Sequence, residues 1–187
     1  HLSIRRQRQM CIRDRFWRDG ELTIERMKFA DFGGASGAFT GTLAGSFSAP
    51  SGEINGEFSA ATAAGLFALA DQVSSGHQII RRLGANSAAF DDLTGQVKLT
   101  LDPDSGPGLT VSGIAGGSNY AITASGTGLT PGGDGPHTIA VNADNPEAYH
   151  ILEQLGFAVL PLEGEGPGTL TLTASGGADD GEQAIDV

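Results

Sequence analysis

Apolar and polar side chains alternate with a period of two through most of the chain. Leu93, Val97, Leu99 and Leu101 share one parity, and Thr94, Gln96, Lys98 and Thr100 share the other. Leu170, Leu172 and Ala174 repeat the pattern against Thr169, Thr171, Thr173 and Ser175, and Phe39, Leu43 and Phe47 repeat it with Gly41 and Gly45 interleaved. Successive side chains of a strand point to opposite faces, so each run predicts a strand with one apolar and one Thr-rich side. Collected over all runs, the apolar side comprises Leu22, Ile24, Phe39, Leu43, Phe47, Val97, Leu99, Leu101, Val111, Ile122, Ile139, Val141, Leu170 and Leu172. Two segments break the alternation and read as short helices, about 60–73 and about 145–155. The first carries Leu66, Phe67 and Leu69 as an apolar stripe, the second Tyr149, Ile151, Leu152 and Leu155. For the second, Asp144 or Asn145 is the expected N-cap, Pro146 the first helical residue, Glu147 the favourable charge at the positive end, and Gly156 the stop.

These elements recur. Asp31–Gly45 and Ile114–Gly128 lie 83 positions apart and match at Gly33/Gly116, Gly34/Gly117, Ala38/Ala121, Thr40/Thr123 and Gly45/Gly128. The same offset superposes the strand-then-helix segments that follow. A glycine followed by an alternating strand recurs at Gly20–Ile24, Gly95–Leu99 and Gly168–Leu172, with the turn Asp102–Gly108 as an insertion. The expected unit is a strand, a turn, a second strand, a Gly-Gly turn, two further strands and a helix. It divides the chain into a first unit over 16–75, a second over 76–156, the start of a third over 157–177, and a terminal stretch over 178–187. The fold class is therefore mainly β, or β-rich α+β: a repeated, curved, largely antiparallel sheet with one apolar face and two short α-helices.

Residues 1–15 differ from all that follows. They hold five of the eleven basic residues, and their QRQMCIRDR string resembles a translated sequencing-adapter read-through, which places the boundary of the fold near Phe16. The alternative for such a segment is a basic targeting or nucleic-acid-binding arm. The whole chain carries a net charge of -11, and from Phe16 onward six basic residues face twenty-one acidic ones. A balance this acidic argues against nucleic acid as a partner, because phosphate binding needs Lys and Arg. No run approaches the roughly 20 apolar residues of a membrane-spanning helix. The single Cys11 has no second cysteine with which to form an internal disulfide.

The sequence holds no recognisable catalytic or metal-binding pattern. His1, His77, His137 and His150 show no metal-ligand spacing. Asp102-Pro-Asp104-Ser-Gly106 has its glycine one position early for a calcium loop and lacks the closing glutamate, and Gly132-Gly-Asp134-Gly135 stands alone where the calcium nonapeptide needs tandem copies. No nucleophile elbow or phosphate-binding lysine occurs, and the adjacent pairs Asp91-Asp92 and Asp179-Asp180 would point to opposite faces of a strand. The expectation is a protein without enzymatic activity and without cofactor or metal.

Asp19-Gly-Glu-Leu-Thr-Ile-Glu25, Phe32-Gly-Gly-Ala35, Gly45-Ser-Phe-Ser-Ala-Pro50 and Asn145–Gly156 with the following Pro161–Leu172 resemble the AsmA family of Gram-negative envelope proteins, a likeness that spans about 16–177. The resemblance implies a fragment of a longer β-groove in the periplasm, attached to the inner membrane by an N-terminal helix that this stretch lacks. It further implies lipid transport between inner and outer membrane or outer-membrane assembly. The partners would be phospholipid or another envelope lipid together with envelope-assembly proteins, and the fourteen apolar positions would then be either lipid-facing or core. A secreted β-solenoid or adhesin-like repeat protein would show the same Gly- and Thr-rich strands and is the alternative.

Overall fold

The structure, a computed structural model, describes residues 10–18, 20–46, 49–73, 78–130, 135–157, 166–177 and 184–186; for 10–18, 69–70, 72–73, 78–80 and 184–186 it describes the backbone alone. Among the described residues ten strands form one sheet: β1 Met10–Arg18, β2 Glu21–Phe32, β3 Ala35–Ser46, β4 Ala49–Ala60, β5 Leu93–Leu101, β6 Gly108–Ala115, β7 Ser118–Ser125, β8 His137–Asn145, β9 Gly168–Gly176 and β10 Ala184–Asp186. Their spatial order is their chain order, every pairing is antiparallel, and the described first and last strands do not pair. The predicted mainly β, antiparallel class is therefore the observed one. Between β4 and β5 lie α1 Ala64–Val73, α2 Gln78–Ala85 and a 3-10 turn at Ser87–Phe90, and between β8 and β9 lies α3 Ala148–Gln154.

The repeat is visible in the backbone. Adding 83 to the ends of β1, Met10 and Arg18, gives Leu93 and Leu101, the ends of β5. β2, β3, β4 and α1 fall in the same way on β6, β7, β8 and α3. This corrects one expected correspondence. Gly20–Ile24 leads into β2, whereas the strand at Gly95–Leu99 is β5, the counterpart of β1. A separate strand was expected between Ile24 and the Gly-Gly turn, yet β2 runs on as one strand because a bulge sets both Glu25 and Arg26 opposite Thr40 and preserves the pairing on either side. β1 starts at Met10 and so crosses the sequence boundary near Phe16.

The paired glycines do what their spacing promises. Gly33 and Gly34 have φ of 63° and 83°, Gly116 and Gly117 of 54° and 78°. Two consecutive positive φ values make the hairpin turn whose twist matches that of its strands, and a side chain resists them. The insertion is a turn as expected: Asp102 Oδ1 accepts the Asp104 and Ser105 N–H groups, which hold its carboxyl below the ordinary aspartate range, and the Gly106 N–H donates to the Asp102 carbonyl.

α3 ends as predicted. Gly156 has φ of 75°, its N–H reaches the Glu153 carbonyl at 2.9 Å, and the Phe157 N–H reaches that of Leu152 at 3.0 Å, a Schellman arrangement. Its start differs from expectation. Asn145 is the last residue of β8, its Oδ1 accepts the Glu147 N–H at 2.8 Å, and Pro146 precedes the helix. The Ala148 N–H is taken by the Gly166 carbonyl, so the helix entry is tied to the strand that follows it. α2 and the 3-10 turn were not anticipated from the sequence, and α1 is shorter than 60–73 because Ala60 still belongs to β4.

Candidate functional site: an open apolar face

Register settles which side chains share a face, because directly paired residues point the same way. One row crosses the sheet as Met27, Phe39, Gly56, Val97, Val111, Ile122, Val141 and Leu172. The next reads Ile24, Gly41, Ile54, Leu99, Leu109, Ala124, Ile139 and Ala174. Leu22, Leu43, Gly52 and Leu101 form a third on the first strands, and Leu170 belongs to a row with Phe29, Phe58, Tyr120 and Ala143. Thirteen of the fourteen predicted positions thus lie on a single face; the fourteenth, Phe47, lies outside the described residues. Met27, Phe29, Ile54, Phe58 and Leu109 belong to the same face but were not singled out, although the same alternation marks them.

The opposite face carries Thr40, Asn55, Lys98, Thr110 and Thr123 in one row and Thr23, Thr42, Glu53, Thr100, Ser125 and Thr138 in another. Lys98 Nζ lies 2.5 Å from Glu53 Oε2 and Asn55 Nδ2 donates to Glu53 Oε1, which together hold the Glu53 carboxyl below its ordinary range. Ile114, at 47% exposure, is the apolar exception on this side.

All thirteen apolar-face residues are half-buried. Among the described residues, full burial is confined to the end of the face where the Gly-Gly turns and the helices meet. Ala63, Phe90 and Ala115 form the core there, with Phe67, Leu83, Leu93 and Tyr120 packed against them. The helices therefore close one margin of the face, and the rows through Val111 and Leu109 stay accessible.

The surface of the face changes along its length. In the first unit a phenylalanine lies over the glycine paired with it on the next strand. A Cβ added to Gly37, Gly56 or Gly95 would stand 2.7 Å from Phe29, 2.2 Å from Phe39 or 2.7 Å from Phe58. The rings of Phe29 and Phe39 stack at 5.5 Å and 19°. Each ring supplies the cover that its glycine lacks. In the second unit the rows are branched aliphatics: Val97, Val111, Ile122 and Val141.

At the helix end a polar cluster pins α3 to the sheet. Gln154, 1% exposed, accepts at Oε1 from Ser118 Oγ (2.9 Å) and Tyr120 OH (2.5 Å), and donates from Nε2 to the carbonyls of Ala89 (2.8 Å) and Ala115 (3.0 Å). Asn145 Nδ2 donates to Ser118 Oγ at 2.8 Å. Burial pushes the Tyr120 hydroxyl up to about 12, partly offset by its hydrogen bond with Ser118. Because these groups satisfy one another, the cluster is a fastening rather than a reactive centre.

The other polar groups weighed in the sequence are scattered. His137 begins β8, and the His150 ring nitrogens face Glu147 at 3.4 Å and Glu153 at 3.5 Å on the outer side of α3. Glu147 also raises the hydroxyl pKa of Tyr149. Asp91 Oδ1 accepts the Ala63 N–H, and Asp92 takes a positive φ of 56° in the same connection. His1, His77, Gly132–Asp134 and Asp179-Asp180 lie outside the described residues. Among the described residues no three His, Cys, Asp or Glu side chains converge as a metal site, and no helix is long and apolar enough to cross a membrane.

A depression of about 580 Å³ lies on the Thr-rich face, between Arg26, Thr40, Glu57, Gln96, Lys98 and Ser112. It lies beside the bulge at Glu25 and Arg26. In comparison with known proteins, no family model, no curated protein and no solved structure matches this chain.

Proposed function

We propose that the chain is a non-enzymatic segment of an AsmA-like periplasmic protein that carries lipid between inner and outer membrane or assists outer-membrane assembly, anchored to the inner membrane by a helix outside this stretch. One observation carries the reading: an apolar surface continuous over eight strands, β2 to β9, that the described helices cover at one margin only. Apolar patches this extended, rimmed by polar residues, mark surfaces that meet apolar partners. Acyl chains suit such a face because they need no directional partner from it, only removal from water. The antiparallel meander also suits a conduit better than the alternative, since a β-solenoid stacks its strands in a coil.

The test is site-specific photo-crosslinking in the full-length protein in its own envelope. Probes at Leu99, Val111 and Ile122 are expected to capture lipid, while a probe at Thr110, on the opposite face, is not. Capture of protein alone at the apolar positions would favour the adhesin-like or assembly role, and no adduct at any of the three, with the crosslinking chemistry working elsewhere, would reject the lipid reading.

A further inference from the structure

The depression on the Thr-rich face is furnished by one unit of the repeat and not by the other. Neighbouring residues of a regular strand point to opposite faces, yet Glu25 and Arg26 both line it: the bulge in β2 sets the two of them opposite the single Thr40. The second unit has no such bulge. β6 and β7 pair one for one from Gly108 to Ala115, and Thr110 alone stands opposite Thr123, the counterpart of Thr40. Followed strand by strand in the same registers, Lys98 has its counterpart in Thr173 and Glu57 in Asn142. Every charge that lines the depression is thus replaced by a neutral side chain in the second unit, so the shared fold does not require these charges.

We propose that this depression is a binding site for a neutral, polyhydroxylated ligand of the class of a short saccharide. Its volume, about 580 Å³, falls within the roughly 300–1,000 Å³ of small-molecule sites. Its charges balance, Arg26 and Lys98 against Glu25 and Glu57, so the lining offers no net field to draw in an anion or a cation. What it offers is hydrogen-bonding capacity in both directions. Lys98 is held by Glu53, but among the described side chains Arg26, Glu25, Glu57, Gln96 and Ser112 are not taken up by one another or by a neighbour. Arg26 can only donate, the two carboxylates can only accept, and Gln96 and Ser112 do both. A sugar ring carries hydroxyls side by side, each able to donate and to accept. It satisfies an arginine and a carboxylate together, where a simple ion would be repelled by one of them. No aromatic side chain is among the described residues of the lining, so recognition runs through hydrogen bonds rather than ring stacking, and the association is weak.

The proposal is independent of the lipid reading and is tested without lipid, by titrating the full chain with oligosaccharides of three charge types. The neutral probes are cello-, malto- and manno-oligosaccharides, the anionic probe is oligogalacturonate, and the cationic probe is a chitosan oligomer. Binding of at least one neutral probe is expected, in preference to both charged ones. Arg26→Ala and Glu57→Ala, at exposed positions where the fold loses no packing, should each weaken it about tenfold or more. Asn142→Ala, at the counterpart of Glu57 in the second unit, should leave it unchanged. Binding of the charged probes alone, neutral binding that survives both first-unit substitutions, or no binding of any probe would overturn the proposal.

Discussion

The two units of the repeat place the same hairpin in the same position and secure it by opposite chemistry. Behind the second Gly-Gly turn stands Ser118, fully buried, handed to Gln154 and Asn145 and flanked by Tyr120. Behind the first stands Ala35, 1% exposed, and the residue in the place of Tyr120 is Gly37, beneath the ring of Phe29. The second unit thus locks α3 with directional bonds, and its aliphatic face is left to contribute area. The first unit relies on rings and small residues that require shape but no partner. A directional fastening is sensitive to the loss of any one member; a packed one degrades in proportion to the volume removed.

The sharpest way to break this contrast is Gln154→Leu, which leaves the Tyr120 hydroxyl, the Ser118 hydroxyl and two carbonyls short of a partner in a buried site. A loss of about 4 kcal/mol is expected in chemical denaturation. Ala35→Ser, which puts a hydroxyl at a buried methyl site, should cost about 1–2 kcal/mol by the same measurement. If both changes were neutral, the proposed difference between the units would be wrong.

Next in size is Phe39→Ala. It strips the cover from Gly56 and the stacking partner from Phe29, and should cost about 2 kcal/mol, against about 1 kcal/mol for Val111→Ala in the aliphatic unit. Equal losses would mean that the rings do no more than their area.

The smallest effect is in alkali. A Tyr120 hydroxyl raised from 10.0 to about 12 disfavours ionisation in the folded protein. Its contribution is complete below about pH 10 and disappears as pH rises through 12, a loss of about 1 kcal/mol once partial exposure is allowed for. Absorbance titration of the Tyr149→Phe variant isolates this group, and ionisation near pH 10 with the fold intact would show that the polar fastening is looser than its geometry.

The sheet was legible because its information is local. Alternation names the face of Val97 or Leu172 without knowledge of the partner strand, and two adjacent glycines name a hairpin whatever they connect. The fastening was not legible for the converse reason. Ser118 and Gln154 are separated by 36 positions, each is an ordinary polar residue in its own element, and only the fold makes them meet. Asn145 shows the two cases in one residue. Its hydrogen bond to the Glu147 backbone was expected in kind from the approach to a helix, whereas its bond to Ser118 was not. The unforeseen α2 and the bulge at Glu25 and Arg26 belong to the second class, since the helix is set by packing against α1 and the bulge by register with β3.

The strictly sequential order of the strands has a consequence for how such a molecule can grow. Every strand finds its partner in its immediate chain neighbour, so duplication of a whole unit adds strands at a junction without dissolving any existing hairpin. A gene encoding this chain can therefore lengthen or shorten in steps of one unit while the protein remains foldable at each step, and the length of the sheet becomes a heritable quantity open to selection by itself.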